Sequence, residues 1–198
     1  MRVYHRQGAG RPIRIVWTLE EIGAPYELVV MSREEGSGDE HRARHPLSRV
    51  PVLDDGEGPV FESAAICLHL ADKHPEAGLA PAPGTHERAL VYQWAVFAPA
   101  ELEPPLFAAW IQAQRDPERA AGPKERFLKA AGAVADALDG REYLTGDTFS
   151  VADILVGTAV AFTARAGFGD ELPATLHAYV ARLAQRDAFQ RATAKLAG

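Results

Sequence analysis

The spacing of apolar positions changes along this chain of 198 residues, and the changes mark out its elements. RVYH, Arg2 to His5, predicts a short strand. Pro12 follows where a helix can begin, because the first helical position has no use for the N–H that proline lacks. In PIRIVWTLEEIG, Ile15, Leu19 and Ile22 recur at helical spacing and Gly23 supplies a stop. PYELVVM predicts a second strand. SREEGSGDEHRARHP is polar and glycine-bearing, a loop with at most one short helix. VPVLDDGEGPVFE predicts a hairpin, two short apolar strands around Asp-Gly and Gly-Pro turn residues. SAAICLHLADKH then predicts a helix with Ile66, Cys67 and Leu70 on its inner side.

The tract PEAGLAPAPGT, Pro75 to Thr85, is rich in Pro, Gly and Ala and reads as a linker. Everything after it has helical spacing. HERALVYQWAVFA carries Leu90, Trp94 and Phe97 on one face, and Pro99, Pro104 and Pro105 kink or divide the region. PKERFLKAAGAVADAL, from Pro123, predicts the next helix. SVADILVGTAVAFTARAG predicts another, with Val151, Ile154, Leu155, Thr158 and Phe162 on one stripe. Its surroundings are so apolar that burial on most sides is expected. LPATLHAYVARLAQ and DAFQRATAKLA close the chain. The fold class is therefore α/β plus all-α: a first domain at 1–76, a linker at 77–85, and a helical domain at 86–198.

Charge and composition narrow the function. The chain has 21 Lys and Arg against 27 Asp and Glu, which argues against a nucleic-acid surface. No stretch approaches the roughly 18 apolar residues that span a bilayer. The start, MRVYHRQGAG, has no apolar signal core, so export is not expected. A single cysteine, Cys67, excludes an internal disulfide and any CxxC pair, and fits a reducing cytosol. The seven His are scattered, with no HxxxH or HExxH spacing, so no metal site is expected.

Three spots carry candidate chemistry. In RVPVL, Arg49 to Leu53, Pro51 opens a strand, where a residue without an N–H is tolerated. A cis Val50–Pro51 bond would turn the N–H and C=O of Val50 outward to pair with an extended peptide; a trans bond would simply start the strand. In FES, Ser63 is placed as the N-cap of a helix, a position that binds anions, and Glu62 beside it can accept an ammonium group. Plain capping of a surface helix is the structural alternative. In FSVAD, Ser150 and Asp153 have the spacing of a capping box, with Phe149 and Ile154 as a hydrophobic staple. There the expected role is folding, not catalysis. Cys67, on the apolar side of its helix, is read as core.

The ordered set RIVWTLEEIGAPYE, HPLSRVPVLDDG, FESAAICLHLADKHP and FSVADI resembles the soluble, cytosolic-type glutathione S-transferase family, in a bacterial-like form. The resemblance spans nearly the whole chain. It implies a thioredoxin-like domain followed by an all-helical domain, a homodimer, a cytoplasmic detoxification role and glutathione as cosubstrate. Val50, before a cis Pro51, would pair through its backbone with the cysteinyl part of glutathione. Glu62 and Ser63 would hold its γ-glutamyl end, and Arg49 lies where a basic residue often meets the glycyl carboxylate. His45 departs from the pattern, which more often has Asn. The helical domain would meet a small hydrophobic electrophile or peroxide, with Phe97, Glu101, Phe107 and Trp110 as the wall.

The family's chemistry is attack by a thiolate. A free thiol, with a pKa of about 8.5, is only a few per cent ionised near neutral pH. Family members place a Ser, Cys or Tyr near the first strand to stabilise the anion. Alignment with the bacterial pattern puts Gly10 at the usual Ser or Cys position. The substitutes are Arg11 at the helix start, together with the amides of Gly8, Gly10 and Arg11, and then the Tyr4 phenol. The missing hydroxyl leaves two other readings open. One is a non-catalytic glutathione-binding or interaction module. The other is a glutathionyl-disulfide reductase that uses the substrate's own thiol.

Overall fold

The computed structural model describes residues 1–197, which divide into two compact units. The first comprises Met1–Gly78 and the chain from Arg186 onward; the second is Leu79–Gln185.

The first unit is built on four strands: β1 (Arg2–His5), β2 (Glu27–Val30), β3 (Val52–Asp54) and β4 (Pro59–Phe61). They lie in the order β2-β1-β3-β4. β1 runs parallel to β2 and antiparallel to β3, and β4 is antiparallel to β3. Successive residues of a strand face opposite sides. Tyr4, opposite Val29 and Val52, therefore joins Met31 and Val52 in a small core on one side. Val3, opposite Leu28 and Leu53, faces the other side and is fully buried. Helices α1 (Pro12–Ile22) and α3 (Ser63–Lys73) pack on each other and on β1 and β3, burying Ile15, Leu19, Ile66 and Leu70. The short helix α2 (Asp39–Arg44) lies between β2 and β3 in the chain. It lays the Arg44 guanidinium 4.3 Å from the centre of the Tyr4 ring.

The second unit contains α4 (His86–Phe97), a π-type turn (Ala98–Leu102), α5 (Glu103–Ala113), α6 (Pro117–Ala137), α7 (Val151–Ala166) and α8 (Ala174–Ala184). The buried face of α4 is Arg88, Val91, Trp94 and Ala95. The expected stripe of Leu90, Trp94 and Phe97 thus turns by one position, because Arg88 is drawn inward to donate to the Pro81 carbonyl at 3.0 Å. α6 begins at Pro117, not Pro123: Asp116 accepts from the Glu118 N–H at 3.2 Å and Pro117 takes the first turn, which outweighs the proline inside the helix. α7 is buried nearly all round, as its composition implies, and the capping box of Ser150 and Asp153 is complete.

The final helix, α9 (Asp187–Ala197), belongs to the first unit, so the expected span 86–198 is not one compact body. Its few apolar residues hide this allegiance; its cations reveal it. Arg186 meets Glu21 at 2.6 Å, and Arg191 and Lys195 meet Glu20 at 2.8 and 2.6 Å. Phe189 stands edge-on to Trp17 with ring centres 4.8 Å apart. Burial alone would push the Glu20 carboxyl up, but hydrogen bonds from Lys195, Tyr26 and Arg191 outweigh it and hold the pKa at about 2 against a usual 4.5. A depressed carboxylate pKa stabilises the fold above the unfolded value and loses that stabilisation as pH falls through the folded one. Glu20→Gln is therefore expected to cost about 1 kcal/mol at neutral pH, since half-exposed partners are screened. It should also flatten the loss of stability between pH 4.5 and pH 2. Urea midpoints across that range check it; parallel curves for both proteins would refute the role of Glu20.

Candidate functional site

The strand register gathers three chain segments at one end of the first unit's sheet. Tyr4 pairs with Val52, and Val52 with Phe61. Beyond that row lie the loop 6–11 leaving β1, the Val50–Pro51 bond entering β3, and Glu62–Ser63 leaving β4. Open α/β sheets bind ligands at such an end, beside the helix starts.

The first segment turns at Gly8, whose φ of +74° is a left-handed conformation that favours glycine, and the Ala9 N–H donates to the Arg6 carbonyl at 3.1 Å. Gly10 is exposed, and its backbone is not left-handed. A Cβ added there meets nothing within 4 Å. Neither backbone nor space therefore demands a glycine at this position. Arg11, half-buried, is the N-cap of α1, and Pro12 takes the next position.

The second segment enters through Ser48, at a left-handed φ of +51°, and the Val50–Pro51 peptide bond is cis. Arg49 is exposed, Val50 half-buried and Pro51 buried. Behind this loop, Arg6 donates to the Ser48 carbonyl at 3.4 Å, and the His41 Nε2–H donates to the Arg49 carbonyl at 2.9 Å. His45, the departure from the family pattern, accepts the Leu47 N–H on Nδ1 at 3.1 Å and stacks on Phe61. Burial lowers its pKa, with nearby Glu62 opposing that shift.

In the third segment Glu62, not Ser63, is the N-cap of α3. It is exposed and held at φ +71°, ψ 116°, a strained backbone for a residue with a side chain. Ser63 is the first helical residue and is buried. Its Oγ accepts from buried Arg14 Nη1 at 3.2 Å, so its own hydroxyl hydrogen is left for another acceptor.

Tyr4 is 6% exposed and packed with Met31 and Val52 under the Arg44 guanidinium. The second unit carries the other expected residues. Phe97 is half-buried, Glu101 exposed, and Phe107 and Trp110 each stack edge-on to Phe162 at 5.3 Å. Arg6, Arg14 and His41 were missed by the sequence reading. So was His5, buried at the end of β1 with Nε2 lacking a partner and its pKa lowered by burial. The alternation of a four-residue strand marks His5 as inward-facing; nothing local marks the others. Among the described residues no cluster of three or more His, Cys, Asp or Glu is placed to hold a metal ion.

Cys67 is fully buried and accepts the Thr18 hydroxyl at 3.3 Å. Burial pushes its thiol up to about 11. It is not a nucleophile. In the native protein an aromatic disulfide reagent should release no colour, and one equivalent should appear in denaturant; rapid native labelling would overturn its placement in the core.

Residues 1–72 match the family model of the glutathione S-transferase N-terminal domain. Glutathione S-transferase 4 of Zea mays is 36% identical over 152 residues, which cover 71% of this chain and 67% of that one. The chain belongs to the glutathione S-transferase family. A solved sphingomonad glutathione S-transferase, complexed with glutathione, has a TM-score of 0.88 at 29% identity, covering 100% of this chain and 99% of the other. BphK, a bacterial GST solved as a ternary complex, has a TM-score of 0.88 at 28% identity, covering 100% of both chains. The family resemblance, the thioredoxin-like first domain and the helical region after it thus stand as expected. Gly10, in the loop 6–11, brings no side chain to this end of the sheet.

Proposed function

We propose that this chain is a glutathione transferase that binds glutathione at the sheet end of its first unit and activates the thiol for attack on a small hydrophobic electrophile or peroxide. The observation that carries this is the convergence of Val50, Glu62–Ser63 and the Gly10–Arg11 loop on one row of paired strands. Val50 pairs through its backbone with the cysteinyl part. Glu62 takes the γ-glutamyl ammonium, Ser63 its carboxylate, and Arg49 the glycyl carboxylate. Arg11 with the loop amides stabilises the thiolate, and Tyr4 is the second candidate. Phe97, Glu101, Phe107 and Trp110 meet the electrophile. No metal takes part in these assignments.

The exposed, side-chain-free Gly10 favours a second reading, in which the site binds glutathione without conjugating it or reduces glutathionyl disulfides with the substrate's own thiol. Titration of bound glutathione by ultraviolet thiolate absorbance separates the two. A bound pKa about two units below the free value supports conjugation, at roughly 2.7 kcal/mol of preferential anion stabilisation. An unshifted pKa removes the conjugating activity, and absence of binding removes the glutathione function altogether.

We further propose a cytoplasmic homodimer with a role in detoxification. Exposed Leu47 (64%) and Phe61 (39%) supply apolar surface for a partner copy, and the unpaired Cys67 fits a reducing compartment. Light scattering at micromolar concentration tests the dimer.

A further inference from the structure

The loop 45–50 is held from behind by side chains that the family resemblance does not assign. His41 is fully buried on α2, and its Nε2 lies 2.9 Å from the Arg49 carbonyl. A carbonyl only accepts, so Nε2 carries the hydrogen. The Arg49–Val50 peptide is trans, and in a trans peptide the C=O and the following N–H point in opposite directions across one plane. Fixing the Arg49 carbonyl against His41 therefore turns the Val50 N–H away from α2. Arg6 fixes the preceding carbonyl, that of Ser48, at 3.4 Å. Outside helices and strands, the Val50 N–H takes no backbone partner among the described residues. Two adjacent carbonyls are thus anchored inward while the next amide is left unspent.

We infer that His41 is a positioning residue: it presets the Arg49–Val50 peptide plane so that the Val50 N–H faces the cysteinyl carbonyl of glutathione. This rests on the proposed glutathione site. The role requires only an N–H donor at this reach, since a peptide plane held in place beforehand does not have to be ordered when the ligand binds.

The test uses the full chain as wild type, His41→Leu and His41→Gln. Leu fills the space without a donor; the Gln amide places an N–H near the position of Nε2. Glutathione affinity is measured by calorimetry, KM and kcat with an activated aryl chloride, and the Val50 amide resonance in nitrogen-15-labelled protein without ligand. His41→Leu should weaken glutathione binding about tenfold, the worth of one hydrogen bond. It should raise KM for glutathione while leaving KM for the electrophile and kcat at saturation unchanged. The Val50 resonance should broaden or split. His41→Gln should restore all of these to within about threefold of wild type.

Equal affinity in wild type and His41→Leu, or a Gln variant as weak as Leu, overturns the role of His41. If wild type does not bind glutathione, the proposed function falls instead. The Val50 resonance then still decides the inference: a single, unperturbed signal in all three proteins refutes it. Should His41→Leu not fold, His41→Asn, whose amide is too short to reach the carbonyl, takes its place with the same outcomes.

Discussion

Asp153→Ala is expected to destabilise the second unit by about 4–5 kcal/mol at 25 °C. The Asp153 side chain is fully buried and accepts four hydrogen bonds: from the Leu144 and Ser150 N–H groups at 2.9 Å each, the Ser150 hydroxyl at 3.1 Å and the Tyr179 hydroxyl at 2.9 Å. Alanine leaves these donors without an acceptor in a dry interior, at about 1–3 kcal/mol for each stranded group. Half of the α7 capping box goes with them, worth about 1 kcal/mol. Such losses do not add fully, because the groups share one network, but a total of about 4–5 kcal/mol is a large part of the 5–15 kcal/mol that holds a typical domain together. Asp153→Asn should be milder, at about 2 kcal/mol. Burial pushes the Asp153 carboxyl up despite the bonds that favour its anion, so the site needs its acceptors more than its charge. Urea unfolding, followed by tryptophan fluorescence and by helical circular dichroism, checks both variants. An Asp153→Ala midpoint equal to that of wild type would show that other groups supply the missing acceptors.

The capping box shows what the sequence makes legible. Ser150 and Asp153 are three residues apart and their bonds are local, so spacing alone announces them. The alternation of β1, the hairpin signal and the helical spacing of α1 and α3 are legible in the same way, and they place Gly10, Val50 and Glu62 at element ends. Bonds between distant segments are not legible. DEHRAR lies in a polar stretch that reads as a loop with at most one short helix, yet its His41 is fully buried against a carbonyl eight residues on. DAFQRATAKLA reads as one more helix of the second domain, yet Arg186, Arg191 and Lys195 tie it to Glu20 and Glu21 on α1, more than 160 residues away. Glu62 differs again. Its neighbours suggest that Ser63 caps α3, because Ser is the better cap by propensity. The chain instead places Glu62 at a positive φ, leaving Ser63 buried on Arg14 and Glu62 exposed. That arrangement spends backbone strain to present two side chains together, and no propensity scale anticipates it.

Arg11→Ala should lower kcat at pH 6 about thirtyfold, corresponding to about 2 kcal/mol, and move the acid limb of the kcat–pH profile up by about 1.5 units. The reasoning is by supply. Most of a bound thiol is ionised near neutral pH only if its pKa falls about two units, roughly 2.7 kcal/mol. Gly10 offers no hydroxyl. Pro12 has no N–H, and the Arg14 N–H already donates to the Arg11 carbonyl at 3.1 Å, so the start of α1 has fewer free donors than an ordinary helix. Tyr4 is committed to its buried cluster, and Tyr4→Phe should shift the limb by less than about half a unit. The larger share then falls to the Arg11 cation, and Arg11→Lys should keep part of it as a point charge without the planar fork. Glutathione affinity at low pH, where the thiol is neutral in both proteins, should change little. An acid limb that stays in place in Arg11→Ala removes Arg11 from the chemistry. The double variant Gly10→Ser/Arg11→Ala sharpens the outcome: a Cβ at Gly10 has open space, so a serine hydroxyl placed there should bring the limb back down by about a unit if the thiolate lies at this loop.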